Sequence, residues 1–514
     1  MIQPAAPPTW GPRPWWETRA FVVALVLLST VPLLYPQIPP LVDLFGHMGR
    51  YRVQLDLDSS PWLKQYYSFH WAAIGNLGVD LLVMPLAPIF GLEMAVKLIV
   101  IAIPALTVAG FLFVAREVHN RIPPTALFAL PFAYSHPFMF GFANFALSMA
   151  FAFLAFGLWL RLARKGKLRL RAILFVPISL VIFFTHTFGW GTLGLLCFSA
   201  EAVRLHDKGT PWFRAGIEAA IHASVMALPL VVMLVWRSET HGGMTRDWFN
   251  WEAKFEWVMM ALRDRWRLFD IGAVVVALAV ILEAVRNPRL GFSRNLAFSA
   301  MVLLVGFILL PRIVFGSAYA DMRLLPYLMA TVLLAIRFRS RTHLPTARMF
   351  LVLGLAFFLV RLGGNTISLA IAGEAQQERL EALEHVPMGS AVASIVGTGC
   401  GFDWPMPRDS HLGAMVIVRR QGFSNDQWVM EGINLLDLKY KKAGIFGSDP
   451  SEMVGPDRCR ERGSWQIDRA LRRLPRDAFD YLWLIHPPAF DPALIAGMRP
   501  VWRGRDSILY QVQP

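Results

Sequence analysis

An acid, an imidazole and a guanidinium lie close together after the first hydrophobic segment of this 514-residue chain. They are Asp43, His47 and Arg50, in the stretch PPLVDLFGHMGR. Charged groups are costly near hydrocarbon, so ionisable residues at the end of a membrane helix indicate a functional site. A carboxylate there can take a proton from a hydroxyl group, and an imidazole can orient it. We therefore take Asp43 and His47 as candidate catalytic residues and Arg50 as a candidate substrate-binding residue.

The elements that must position these residues are membrane helices. Hydrophobic residues make up 55% of the chain, and long apolar runs recur between residues 20 and 372. This composition predicts an α-helical polytopic membrane protein. The net charge of +14 lies largely in short loops between the apolar runs, as is typical of cytoplasmic loops facing anionic lipid. The charge therefore points to membrane lipid as a partner and not to nucleic acid.

A hydrocarbon layer of about 30 Å requires roughly 20 apolar helical residues per span. We predict about 11 spans, near residues 20–36, 93–115, 124–140, 142–162, 172–189, 188–204, 215–236, 269–286, 295–314, 323–337 and 349–371. Because no small-residue cleavage site follows the first span, we expect it to remain as an anchor. The segment 72–91 contains Asn76, Asp80, two prolines and three glycines, which favours juxtamembrane or re-entrant structure.

The basic loops predict the orientation. With about 11 spans, the six Lys and Arg residues between positions 161 and 171 face the cytoplasm, as the positive-inside rule requires. Residues 1–19 are then a cytoplasmic segment, and 20–372 form the membrane domain with a first outer loop over 37–92. Residues 373–514 lie outside the cytoplasm, which in a bacterial inner membrane means the periplasm.

Residues 373–514 have the composition of a small α/β domain. We predict a helix over Glu374–Glu384 and strands over Ser390–Val396, Ala414–Arg419, Tyr481–Ile485 and Ser507–Val512. Cys400 and Cys459 fall in this domain. In an oxidising compartment they could form a disulfide, and two free buried thiols are the alternative.

With this topology, further polar residues collect at the outer face and suit a site that binds a phosphate beside an acid and a base. The structural alternatives are snorkelling to lipid headgroups for Lys97, Arg312 and Arg361, and interfacial hydrogen bonding for His136 and His186. No cluster has the spacing of dedicated metal ligands, and a divalent ion centred on Asp43 stays open. The predicted substrate-binding residues are Arg50, Asp80, Lys97, His136, Asn144, His186, Arg312, Asp321 and Arg323.

Several segments resemble those of the GT-C class of integral-membrane glycosyltransferases, which includes protein O-mannosyltransferases and lipid A aminoarabinose transferases. Over residues 61–123 an aromatic stretch leads to PLAPIFGLEMAVKLIV and then AREVHNR, similar to that class's juxtamembrane helix, second span and basic loop. FGFANFALSMAFAFLAFGLWLRL and AYADMRLLPYL also resemble bacterial proteins of this kind. Asp43 matches the first-loop acid, and Lys97 matches the basic residue that begins the second span. The chain departs from the class in having one first-loop acid, followed by His47 and Arg50, and no second-loop acid.

The resemblance implies a glycosyltransferase that uses a polyprenyl-phosphate sugar and an acceptor hydroxyl on a glycan, lipid or protein. In that scheme Asp43 is the general base and the anomeric carbon is inverted. Lys97, Arg312 and Arg323 would neutralise the leaving phosphate. A polytopic transporter or lipid or glycan flippase is the first alternative. A non-catalytic envelope-polysaccharide assembly subunit is the second.

Overall fold

The computed structural model describes residues 14–239, 244–314, 316–339, 344–428, 435–447, 453–459 and 465–512. Up to Leu380 the described chain is mostly helical. Its helices are α1 (Arg19–Leu28), α2 (Val31–Leu34), α3 (Leu44–Asp56), α4 (Leu63–Tyr66), α5 (Gly78–Phe90), α6 (Leu92–His119), α7 (His136–Met139), α8 (Ala143–Arg164), α9 (Leu168–Thr185), α10 (Thr187–Asp207), α11 (Trp212–Ala223), α12 (Leu228–Glu239), α13 (Trp251–Met259), α14 (Arg267–Arg286), α15 (Arg294–Leu309), α16 (Ala320–Ala335) and α17 (Leu344–Leu380). Three short strands lie among them, namely β1 (Tyr67–Phe69), β2 (Leu290–Phe292) and β3 (Ile336–Phe338).

Five helices in the described ranges are long and apolar enough to cross a membrane: α6, α8, α9, α14 and α17. The pair α11 and α12, bent by 61° at its break, makes a sixth candidate. The chain is therefore a multi-pass helical membrane protein, but the predicted count of about 11 spans is not confirmed. Several predicted spans correspond to helices shorter than the roughly 20 residues that a perpendicular crossing needs. The 16-residue helices α15 and α16 are examples.

Two predicted spans are interrupted for identifiable reasons. The segment 20–36 breaks between α1 and α2, where the Ser29 and Thr30 hydroxyls donate to backbone carbonyls of the preceding turn. The segment 124–140 is not one α-helix but a 3-10 stretch, Pro124–Tyr134, followed by the single turn α7. Prolines recur in this segment and remove backbone donors that a regular α-helix needs. α5, within the segment 72–91, is a 13-residue helix.

After α17 the chain forms a C-terminal sheet domain. Its elements are β4 (Ala391–Gly397), α18 (Met415–Arg420), β5 (Phe423–Ser424), β6 (Leu436–Leu438), β7 (Met453–Gly455), β8 (Trp465–Gln466), α19 (Ile467–Arg473), β9 (Tyr481–Ile485), β10 (Arg499–Arg503) and β11 (Ser507–Gln511). Within the described residues, six strands follow the order β10-β11-β9-β4-β7-β8, and β5 also pairs with β4. The strand β9, which is fully buried, and β4, which is buried up to Val396, run parallel at the centre.

Most predictions for this domain are confirmed. β4, β9 and β11 match three of the predicted strands to within one residue, and Cys400 and Cys459 form a disulfide. The prediction of a strand over Ala414–Arg419 is wrong. That segment is the helix α18, which follows a 3-10 turn over Leu412–Ala414. A short apolar run is compatible with a buried strand and with a buried helix, so hydrophobic periodicity could not distinguish the two.

The C-terminal domain packs directly on residues 37–92, the segment that we predict to be the first outer loop. β6 pairs with β1 in an antiparallel ladder. The Arg52 guanidinium on α3 donates to the carbonyl of Val418 at 3.1 Å, and the Gln427 amide donates to the carbonyl of Gly46 at 3.2 Å. Arg408 of the domain contacts the carbonyl of Pro40. α3, which follows Asp43, is therefore enclosed between the membrane helices and the C-terminal domain.

Candidate active site

Asp43 is held by the turn that precedes α8. Its backbone N–H donates to the carbonyl of Phe140 at 2.9 Å. The backbone of Gly141 approaches so closely that a Cβ there would lie 2.6 Å from the Asp43 nitrogen. Gly141 has φ +96°, a conformation that favours glycine. The sequence FMFGFANF therefore forms a tight turn that positions the carboxylate by its backbone.

Asp43, His47 and Arg50 are spaced so that α3 presents them on one side. Arg50 forms an ion pair with Asp80, 2.7 Å away and fully buried. Asn144 donates its amide N–H to the same Asp80 carboxylate at 3.0 Å. The predicted substrate-binding residue Asp80 thus lies behind the site and neutralises Arg50, and it does not line the cavity described next.

Asp43, His47 and Arg50 border a cavity of about 490 Å³. The cavity lies at the start of α8, whose 22 residues span about 33 Å. The basic loop that begins at the other end of α8 is therefore roughly one membrane thickness away. The polar side chains that line the cavity are Asp43, His47, Arg50, Asn76, Asn144, His186, Ser317, Tyr319, Arg323, Ser410, His411 and Trp428.

Arg323 faces Asp43 across the cavity from the first turn of α16. Its guanidinium lies over the Phe142 ring, 4.3 Å from the centroid, and donates to the Ser317 hydroxyl at 3.3 Å. No carboxylate within the described ranges forms an ion pair with Arg323. A guanidinium with these neighbours retains its charge for an anionic ligand.

His47 has a different character. Burial, and then the positive charge of Arg50, lowers the pKa of His47 well below its ordinary value. The imidazole is therefore neutral at pH 7 and can exchange hydrogen bonds, but it does not serve as a counter-ion. Its Nδ1 is buried without a hydrogen-bond partner among the residues described.

The C-terminal domain supplies a wall of the site that the sequence reasoning missed. His411 is buried, with Nδ1 2.6 Å from Asp426 and Nε2 3.7 Å from Asp43. The ring of Trp428 packs between the two imidazoles, 4.5 Å from His411 and 5.1 Å from His47 between centroids. Predicting these residues would have required the docking of a domain that follows Asp43 by more than 300 positions. The motif HLGAM around His411 carries no local signal.

Four predicted substrate-binding residues are engaged elsewhere. Lys97 donates to the carbonyls of Leu34 and Pro36 at the end of α2, at 2.9 and 2.7 Å. Arg312 pairs with Asp247 at 3.5 Å. The cavity is therefore not lined by Lys97, Arg312, His136 or Asp321, for which we predicted substrate binding.

The remaining two residues are buried behind the cavity. Asp321 forms an ion pair with Lys254 at 3.2 Å and accepts a hydrogen bond from the Trp257 indole, also at 3.2 Å. His136 lies beside Trp257, with ring centroids 6.2 Å apart, and accepts or donates no side-chain hydrogen bond among the residues described. A buried Asp–Lys pair of this kind is a structural element, because leaving either charge alone would be costly.

Metal-ligand geometry does not add to this picture. Within the described part of the chain, no group of three or more His, Cys, Asp or Glu side chains is arranged to hold a metal ion. Among the described residues, the cavity instead combines one acid, one cation without an ion-pair partner and three histidines with aromatic walls. Such a site can bind an anionic group and move a proton beside it.

The fold can be compared with known proteins. Among solved structures, the chain is similar to ArnT from Cupriavidus metallidurans, crystallised with undecaprenyl phosphate bound and in the apo state. In both cases the identity is 10% and the TM-score 0.48, over 96% of this chain and 98% or 97% of the other. ArnT is a lipid A aminoarabinose transferase of the GT-C class, the class that the sequence resembles. No family model and no curated protein matches the chain. At this level of likeness the chemistry is argued from the chain's own residues.

Proposed function

We propose that this protein is a glycosyltransferase of the bacterial inner membrane that moves a sugar from a polyprenyl-phosphate donor to an acceptor hydroxyl. The observation that carries the proposal is the placement of Asp43 opposite the unpaired Arg323 in one cavity. A polyprenyl tail stays in the bilayer while its phosphate reaches the membrane surface, which is where this cavity lies relative to α8. The aromatic rings of Tyr319 and Trp428 offer apolar faces to the sugar.

In this scheme the acceptor hydroxyl gives its proton to Asp43 as its oxygen attacks the anomeric carbon. The bond between that carbon and the phosphate oxygen breaks on the opposite side, and Arg323 stabilises the charge on the leaving phosphate. Asp43 is the one acidic side chain that lines the cavity within the residues described. Retention would need a second carboxylate about 5–5.5 Å from the first to act as nucleophile. A single displacement with inversion therefore fits this cavity better.

The transporter alternative is not favoured. A transporter is expected to carry its substrate site near the bilayer midplane, between halves related by a repeat. Here the polar side chains gather at one end of α8, and the C-terminal domain forms part of the enclosure. The assembly-subunit alternative predicts no turnover and is tested by the same assay.

The decisive experiment measures release of undecaprenyl phosphate by the purified full-length protein. The probes are undecaprenyl-phosphate monosaccharides carrying mannose, glucose, galactose or aminoarabinose, each supplied with envelope lipid and glycan acceptors. Asp43→Asn should lower kcat by about 10²- to 10⁴-fold, the usual contribution of a general base. Asp58→Asn is the matched control, because Asp58 is an exposed acid of the same outer loop. Undiminished release by Asp43→Asn would remove Asp43 as the base.

Arg323 gives a second, separable test. Arg323→Gln should raise the KM for the donor and also lower kcat, because its charge is proposed to act on both the bound and the leaving phosphate. Arg312→Gln is the control, since Arg312 is already paired with Asp247 away from the cavity. Equal effects of the two substitutions would contradict the assignment of the phosphate to Arg323.

A further inference from the structure

His411 and Asp426 form a buried histidine–carboxylate pair whose tautomer can be assigned. Asp426 is fully buried, and its second oxygen accepts the backbone N–H of Ala414 at 2.9 Å. A carboxylate held in this way is an acceptor, so the 2.6 Å contact requires that His411 Nδ1 carries the proton. In the neutral ring the lone pair is then on Nε2, the atom that faces Asp43.

The pair is fixed rigidly in the C-terminal domain. Asp426 follows β5, and the neighbouring Asn425 exchanges two hydrogen bonds with the backbone of Ser394 in the central strand β4, at 2.7 and 2.9 Å. Trp428 packs against the His411 ring on the cavity side. Gly46 on α3 leaves room for that indole, because a Cβ there would lie 2.6 Å from it. These contacts hold the His411 ring in a fixed orientation beside the cavity.

We propose that His411, oriented by Asp426, is a positioning residue that receives the acceptor's proton from Asp43, so that the C-terminal domain completes the general base. This inference rests on the proposed function. The acceptor O–H bond breaks and its proton moves to the Asp43 carboxylate. At the same time the acceptor oxygen bonds to the anomeric carbon and the phosphate leaves with the electron pair of the broken bond. The proton then passes to His411 Nε2 and later to water.

Electrostatics favours the second transfer. The imidazolium that forms on His411 lies between two carboxylates, Asp43 and Asp426. Among the residues that the structure describes, the other titratable groups that line the cavity beside it include His47, neutral at pH 7, His186, Arg50, which is paired with Asp80, and Arg323 across the cavity. The 3.7 Å separation must shorten by about 0.5 Å to reach hydrogen-bond length. Catalytic hydrogen bonds often tighten in this way when substrate binds.

The pH dependence of kcat separates this role from a structural one. In the wild type, transfer to His411 requires a neutral imidazole, so the acid limb of kcat reflects His411. In His411→Gln the proton stays on Asp43, so kcat should fall about 10- to 100-fold. The acid limb should also move to lower pH by about two units, the gap between ordinary imidazole and carboxyl values. Asp426→Asn should match it, because an amide that donates to Nδ1 imposes the opposite tautomer.

Two further measurements guard against simple misfolding. Added imidazole should raise the activity of His411→Ala, whereas the control His385→Ala, which changes an exposed histidine nearby, should keep wild-type activity with and without imidazole. In ¹⁵N-histidine NMR of the full-length protein, the resonance assigned by His411→Gln should show a protonated Nδ1. Its titration should shift in Asp43→Asn.

The outcomes distinguish the two proposals. If Asp43→Asn abolishes donor turnover while His411→Gln and Asp426→Asn keep the wild-type acid limb, the relay is wrong and the glycosyltransferase stands. If Asp43→Asn leaves the NMR titration of His411 unchanged, the relay is wrong whatever the activity of His411→Gln. Absence of donor turnover by the wild type would overturn the proposed function and the relay together.

Discussion

Replacing Gly141 by alanine should displace Asp43, the proposed general base, without changing its side chain. A Cβ on residue 141 would lie 2.6 Å from the Asp43 backbone nitrogen and 3.0 Å from that of Leu44. Ordinary contact begins near 3.4 Å, so the two backbones must separate by about 0.8 Å, the difference between 3.4 and 2.6 Å. The neighbouring atoms are main chain and cannot rotate away. The shift therefore passes directly to Asp43.

The expected loss follows from the sensitivity of catalysis to geometry. A misplacement of about 1 Å can lower a rate by about 10²-fold, so Gly141→Ala should reduce kcat by about 10- to 100-fold. The substitution also places a side chain at φ +96°, which by itself destabilises the fold by about 1–2 kcal/mol. Gly91→Ala provides the matched control. Gly91 has φ +78°, but nothing lies within 4 Å of the position of its Cβ.

The assay is release of undecaprenyl phosphate at saturating donor, measured beside thermal unfolding in the same detergent. Both variants should lose the stability that a side chain at positive φ costs, with an additional loss in Gly141→Ala from its main-chain contact, and Gly141→Ala alone should lose turnover. Wild-type kcat in a folded Gly141→Ala protein would refute the argument that this turn positions the base. An equal loss of turnover in Gly91→Ala would show that stability, and not geometry, governs the rate.

Three further predictions concern stability. Cys459→Ser opens a disulfide that closes 59 residues, and it should lower the unfolding free energy of the C-terminal domain by about 4 kcal/mol, measured by denaturant unfolding with and without reductant. Arg361→Met leaves the buried carboxylate of Asp270, 2.8 Å from the guanidinium, without its cation, and it should lower the unfolding free energy by about 3–5 kcal/mol. Adding Asp270→Asn to this variant should recover much of the lost stability, measured by thermal unfolding. The hydrogen bond from Arg379 holds the pKa of Asp506 below its ordinary value, so this pair stabilises the fold above about pH 4 and the contribution disappears as pH falls further. Thermal unfolding between pH 7 and 3 should therefore show a weaker acid limb in Asp506→Asn, and an unchanged limb would contradict the assignment.

Local features could be predicted from the sequence better than contacts between distant segments. Asp43, His47 and Arg50 could be singled out because they are ionisable residues within eight positions that follow an apolar run. β4 and β9 were predictable because buried parallel strands are continuous apolar runs between turn residues. Both inferences use information within about ten neighbouring positions.

Contacts between distant segments could not be inferred in the same way. Arg361 was open to a snorkelling interpretation, yet its guanidinium is buried against Asp270, 91 residues earlier. His411 lies in a segment that reads as ordinary loop, and its role depends on packing α18 against α3. The interactions of such side chains depend on tertiary contacts, which cannot be inferred from a single sequence.

The charges around the cavity show how partners separate structural cations from functional ones. Arg50, Arg312 and Arg361 each face a carboxylate, at 2.7, 3.5 and 2.8 Å. A phosphate would have to displace that carboxylate, and for the two buried pairs the abandoned acid would be left uncompensated. Arg323 faces Asp43 across the cavity but forms no ion pair with a carboxylate within the described ranges, and its ring and hydroxyl neighbours can remain while an anion binds. Of the cations that collect at this face, Arg323 is therefore the one whose charge a lipid phosphate can meet at the lowest cost.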